Sequence, residues 1–204
     1  MWLKANQSLV NSLNVFPIPD GDTGSNMFLT LKTAYAEIEN ETNNNVGSIA
    51  KKFAHGALMG ARGNSGVILS QILRGFARTL DDKEELDANL FVAALAESRN
   101  TAYKGVVRPV EGTILTVIKD VARAAEKSRQ TTDDLRQILE DVIIAADTSV
   151  KNTPELLPIL KQAGVVDSGG KGLFFILEGI LRYVKGESIE AVEEKVTTVS
   201  LEQM

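Results

Sequence analysis

The chain has 204 residues, 44% of them hydrophobic and 24% charged, the values of an ordinary globular domain rather than of a disordered or fibrous chain. Its 27 acids against 22 bases leave a net charge of -5, the wrong sign for gripping a phosphate backbone, so nucleic acid is not expected as a partner. There is no cysteine, which removes disulfides, thiolate zinc sites and cysteine nucleophiles together.

Apolar residues recur every three or four positions almost throughout, no alternating run insists on a strand, and only 5% of residues are aromatic, so an all-α fold is expected. The first helix is expected over 2–13. Its start has no apolar run of signal-peptide length, and no later segment reaches the ~20 apolar residues of a membrane span, which makes the cytoplasm the expected address. PDGDTGSN leads into a second helix over 24–40, ENETNNN into a third over 46–60 and ARGNSG into a fourth over 65–80. LDDKEELD precedes the fifth (87–104), VEGT the sixth (113–129) and SRQTT the seventh (132–150). A short extra turn is expected at 154–161, with Thr153 as its cap and Pro154 at its first position. VDSGG opens the eighth helix over 170–185. Residues 186–204 are acidic and β-branched and lose the core stripe. They are expected to be a linker toward further domains, leaving 1–185 as the folded unit.

The entrances to the even-numbered helices are rich in glycine and small hydroxyls, whereas the others are plain solvated turns. Short connections favour helices that run alternately up and down. An eight-helix up-and-down barrel would then gather all four unusual entrances on one rim. Helix starts present unpaired N–H groups and the positive end of a dipole, so such a rim is a seat for anions. Taken one at a time, the same residues have plainer readings: Asp22, Thr23 or Ser25 as caps of the second helix, RGNSG as a C-cap followed by an N-cap, Thr113 as a cap. Familiar motifs are excluded. VDSGGKG lacks the Walker spacing because Val165 stands where a glycine is required and no Ser or Thr follows Lys171. A calcium loop begun at Asp20 would end on Leu31 instead of an acid, and no G-x-G-x-x-G occurs.

Asp20 and Asp22, one residue apart in a proline-stiffened loop beside a helix start, repel each other unless a hard divalent cation sits between them. Magnesium suits such a pair, since it takes one or two carboxylates and completes its shell with water and phosphates. Phosphoryl transfer needs mostly positioning and charge neutralisation, which a chain without cysteine supplies. Asp20 and Asp22 are accordingly the candidate catalytic and metal-holding residues. His55, the single histidine, is expected to be packed or capping rather than a proton shuttle. For Arg62, a γ-phosphate contact and a solvated loop position are equally open.

PDGDTGSNM, HGALMGARGNSGVILSQ, EGTIL and VVDSGGKG, in this order over most of residues 10–185, closely resemble the DhaL-type nucleotide-binding domain. Within that family they are most similar to the N-terminal ATP-binding domain of bacterial fatty-acid kinase catalytic subunits. The resemblance implies an eight-helix barrel with ATP and magnesium at one end. In the related dihydroxyacetone kinase subunit the metal loop reads G-D-G-D-H-G with a further aspartate five residues earlier. Asp20 and Asp22 match the last two acids of that set, Val15 stands at the earlier position, and Asn14 beside it becomes the candidate third ligand through its carbonyl. The same match assigns Thr23, Gly24, Ser25, Asn26, Asn64, Ser65, Gly112, Thr113, Asp167, Ser168 and Gly169 to nucleotide contact. It also implies a fatty-acid carboxylate held by a separate carrier protein as acceptor, with further domains of the same polypeptide as partners. A dihydroxyacetone kinase-type subunit and a non-catalytic nucleotide-sensing module are the alternatives. Oligomeric state, homodimer included, is left open.

Overall fold

The computed structural model describes residues 1–187, which form ten α-helices and no strand. These are α1 (Trp2–Ala5), α2 (Gln7–Ser12), α3 (Thr23–Ala36), α4 (Val46–Met59), α5 (Gly63–Thr79), α6 (Ala88–Lys104), α7 (Ile114–Ser128), α8 (Leu135–Leu156), α9 (Pro158–Ala163) and α10 (Ser168–Val184). Each helix from α3 to α8 packs on the next, α8 packs on α10, and α10 returns to α3, so the ring closes. α1 and α2 lie along the α3–α10 seam. There the Trp2 indole donates to Glu178 at 2.5 Å and stacks under the Arg182 guanidinium at 4.0 Å. Seven helices close this ring, and α1 and α2, counted as one, add an eighth position on its seam, with α9 as an appendage, in keeping with the expected all-α eight-helix arrangement.

α7 and α10 supply much of the interior. Ile114 to Ile118 are buried without a break at the start of α7, and Val121, Ala122 and Ala125 continue that face at helical spacing. Met27 of α3, Leu69 of α5, Val142 and Val150 of α8 and Phe175 of α10 meet them in one cluster. Each fully buried aliphatic side chain contributes about 1.5–3 kcal/mol, which is why the aromatic-poor composition suffices. Alternate helices start at opposite poles. The first amides of α4 donate to the run-up to α6, Val46 to the Glu84 carbonyl at 3.1 Å and Gly47 to that of Lys83 at 2.9 Å. At the same pole Asn89, near the start of α6, accepts from Arg129 at the end of α7.

Several boundaries differ from expectation. The first helix is interrupted at Asn6, whose side chain donates to the Trp2 carbonyl at 3.0 Å, a local bond that competes with the helix ladder. The second ends at Ala36 rather than 40, where the acids Glu37 and Glu39 would sit unfavourably against the negative end of its dipole. The extra turn is displaced: Pro154 lies inside α8, and Pro158 opens α9 instead. α8 survives its proline because Thr153 Oγ1 donates to the Val150 carbonyl at 2.7 Å, the acceptor that Pro154, having no N–H, leaves empty. α10 begins at Ser168, two residues earlier than expected. The tail expected over 186–204 lies, from residue 188 onward, outside the described residues.

Candidate functional site

A cavity of about 750 Å³ opens at the pole where α3, α5, α7 and α10 begin, within the size range of small-molecule sites. Asp20, Asp22, Thr23 and Asn26 reach it from the first entrance, Asn64 and Ser65 from the second, Thr113 from the third, and Asp167, Ser168 and Gly169 from the fourth, with Asn14 beside Thr23. The four entrances singled out in the sequence are therefore gathered at one mouth. Gly24, Ser25 and Gly112 are not in the lining.

At the α3 entrance the capping role falls on a different residue than expected. Asp22 occupies the N-cap position but its side chain caps nothing. The cap is Asn14, 7% exposed, whose Oδ1 accepts from the Asp22 N–H (3.2 Å), the Thr23 N–H (3.1 Å) and Thr23 Oγ1 (2.8 Å) while Nδ2 donates to the Ile18 carbonyl at 2.9 Å. In this structure the oxygen of Asn14, the residue expected as a third cation ligand, is engaged by three donors of its own loop. Ser25 is likewise turned away: its Oγ accepts from Gln7 and Asn11, and its N–H donates to Asn11 Oδ1 at 3.0 Å. Gly24 permits this seam, since a Cβ there would stand 2.5 Å from the Gln7 carbonyl.

The α5 entrance is different. Arg62 holds the N-cap position without a side-chain bond, and the N–H groups of Gly63, Asn64 and Ser65 find no acceptor among the described residues. Gly63 has φ +59, and a Cβ there would collide with Asn26 Nδ2 at 2.4 Å. Only glycine lets this start lie so close against α3. Unpaired successive amides at a helix start form a ready anion seat, and this entrance supplies three in a row.

At the other two entrances a side chain caps part of each helix start. Thr113 accepts from the Leu115 N–H at 3.3 Å and donates to the Val110 carbonyl at 2.7 Å, while Gly112, at φ +80, turns the chain behind it against Thr153 and Leu157. Asp167, 5% exposed, accepts from the Gly170 N–H at 2.7 Å, so its carboxylate caps α10. Ser168 Oγ donates to Thr23 Oγ1 at 3.1 Å, linking α10 to α3. Burial pushes the Asp167 carboxyl up from 3.8 to about 6, against the opposite pull of the Gly170 and Ile114 amides. Because the folded value lies above the ordinary one, the stability Asp167 contributes is complete below about 3.8 and is lost as pH rises through about 6. Asp167→Asn keeps an acceptor for Gly170 and abolishes the ionisation. The melting temperature of the variant relative to wild type should therefore climb between pH 4 and pH 7, and a difference that stays flat across that window would refute the assignment.

Two features escaped the sequence reading. Arg108, on the connection from α6 to α7, lines the cavity, and so do Phe16, Ile18, Val67, Val106 and Val107, which form an apolar side wall. The signal was present in VVRP, immediately before the VEGT entrance. His55, expected to be packed or capping, is instead exposed on α4 in a separate depression of about 190 Å³ with Arg74 and Arg78. Its neighbours Ala54 and Gly56 take the inward positions.

The residues at the mouth fit a hard cation. The Asp20 and Asp22 carboxylates accept no hydrogen bond from any described residue, Asp20 is exposed and Asp22 half-buried, and a pair of oxygen donors with open solvent beside them is what magnesium takes. No group of three or more His, Cys, Asp or Glu side chains that could hold a metal ion is assembled among the described residues. No helix among the described residues is long and apolar enough to cross a membrane.

The family model of the DAK2 domain matches residues 17–182. Among curated proteins the chain is similar to an uncharacterized protein of Staphylococcus haemolyticus (strain JCSC1435), 50% identical over 199 residues that cover 98% of this chain and 36% of the relative. An uncharacterized protein of Staphylococcus aureus (strain USA300) is 50% identical over 194 residues, 95% of this chain and 35% of the relative. The chain thus spans about a third of the length of these relatives. The matched stretch runs from the loop before Asp20 into α10 and takes in all four entrances, and the chain belongs to the DAK2 domain family.

Proposed function

We propose that the chain is an ATP- and magnesium-dependent phosphoryl-transfer module: the nucleotide-binding domain of a kinase whose acceptor is the carboxylate of a fatty acid held by a separate carrier protein. One observation carries the nucleotide part. Unbonded carboxylates of Asp20 and Asp22 share a cavity with the uncapped amides of α5, which pairs a cation holder with an anion seat. Thr23, Asn26, Asn64, Ser65, Thr113, Asp167, Ser168 and Gly169 would bind the nucleotide from around the rim, while Gly24, Ser25 and Gly112 shape the entrances from behind. Magnesium, when bound, neutralises phosphate charge. The identity of the acceptor rests on the resemblance to fatty-acid kinases, and a carboxylate acceptor, ionised already, would need no base from this chain. The expected cytoplasmic address suits these ligands.

The occupied oxygen of Asn14 favours one rival, a module that binds nucleotide without turning it over, because it leaves the cation with two protein carboxylates. Thermal unfolding with ATP, with and without magnesium, tests the shared premise. Ligand at 100 times its dissociation constant adds about 2.7 kcal/mol to the folded state, which for this size raises the midpoint by roughly 5–10 °C. No magnesium-dependent rise would reject both readings. Phosphorylation of a lipid-loaded carrier by the full-length protein, against none with this site disabled, would separate them in favour of the kinase.

A further inference from the structure

We propose that Arg108 is the side chain that recognises the terminal phosphate and makes the site prefer a nucleoside triphosphate to a diphosphate; this rests on the nucleotide reading above. Arg108 is the one basic residue in the cavity lining, where the other charged side chains are Asp20, Asp22 and Asp167. It forms no ion pair or hydrogen bond with any described residue, so its guanidinium keeps all its donors for a ligand.

The loop around it is pinned at both ends. Gly105 donates to the Thr101 carbonyl at 3.0 Å on one side; on the other, Val110 accepts from Thr113 at 2.7 Å, and Glu111 is held by Tyr103, Thr116 and Lys119. Val107, 98% exposed, and Arg108 stand at the free crest between these anchors, and Pro109 restricts Arg108 to extended backbone. The arginine is thus presented at the mouth by a fixed frame.

Position and charge both select the terminal phosphate. The floor of the cavity is built from buried groups, Thr23, Thr113, Asp167 and Ser168, whereas Asp20 and Arg108 lie at its exposed edge. The group to be transferred must face that edge, since an acceptor enters there. A cation held by Asp20 and Asp22 has its charge offset by theirs, and a helix start offers only about +0.5. A terminal phosphate carries about -1.5 to -2 at neutral pH, so a full positive charge with a planar fork of donors is the missing partner. Arg62 does not line the cavity and is not that partner.

The test is calorimetric titration of the whole chain, in excess magnesium, with a non-hydrolysable ATP analogue and with ADP. Arg108→Ala should weaken the triphosphate about tenfold or more and leave ADP within about twofold. Arg108→Lys should fall between, and Arg62→Ala should match wild type for both ligands. Helical circular dichroism checks that each variant is folded. Equal losses for ATP analogue and ADP, or no loss for either, overturn the proposal while leaving the nucleotide reading intact. A wild-type chain that binds neither ligand overturns both.

Discussion

Asp22→Ala is expected to remove the magnesium-dependent part of nucleotide affinity, a loss of more than about 100-fold, while the ligand-free protein melts as wild type does. Losing a partner of a metal ligand costs about 10–100-fold in metal affinity, and loss of one of only two carboxylates costs more. The second half of the expectation comes from the local bonding. Asp22 sits at the N-cap of α3 yet caps nothing, the work being done by Asn14, so its side chain is free to be removed. Titration of nucleotide in magnesium and in chelator, with the circular dichroism melt beside it, reads both halves. Affinity that stays magnesium-dependent in the variant would mean that the cation is held elsewhere; a large drop in the melting temperature would mean that Asp22 has a structural task that its contacts do not reveal.

Asn14→Ala should behave in the opposite way, destabilising the fold whether or not ligand is present. Its oxygen accepts three hydrogen bonds, two of them from the Thr23 amide and hydroxyl in buried surroundings, and its amide holds the Ile18 carbonyl. A buried donor left without a partner costs about 1–3 kcal/mol, and loss of an N-cap alone typically costs ~1 kcal/mol. A total of about 3 kcal/mol, or roughly 6–12 °C in the midpoint, follows for a domain of this size. Denaturant unfolding should show an earlier midpoint with an unchanged slope. A variant as stable as wild type would show that the cap is dispensable and would return Asn14 to the candidate cation ligands.

The pole-to-pole alternation was legible because it depends on connection length and on which loops carry glycine, both properties of neighbouring residues. For the same reason the entrances at Asp22, Gly63, Thr113 and Asp167 were found. What sequence could not convey was direction within an entrance. Ser25 and Asn26 are adjacent, yet Ser25 turns to Gln7 and Asn11 of α2 while Asn26 lines the cavity; that division depends on which face of α3 meets α2. Asn14 was picked out only by its nearness to a missing acid, and its actual partners lie eight and nine residues ahead, at Asp22 and Thr23. The helix that runs through Pro154 misled in another way. A proline ordinarily signals a start or a stop, and the hydroxyl that repairs the ladder is recognisable only once the helix is known to continue.

That hydroxyl has two occupations. Thr153 Oγ1 gives its proton to the Val150 carbonyl and receives the Asp167 N–H at 2.9 Å, so the mending of α8 and the seating of the acid under α10 pass through one atom. The repair of a long helix on the barrel wall and the placement of Asp167 at the ligand mouth are consequently tied to each other through Thr153. Serine at 153 would preserve the coupling and valine, although the same shape, would sever it.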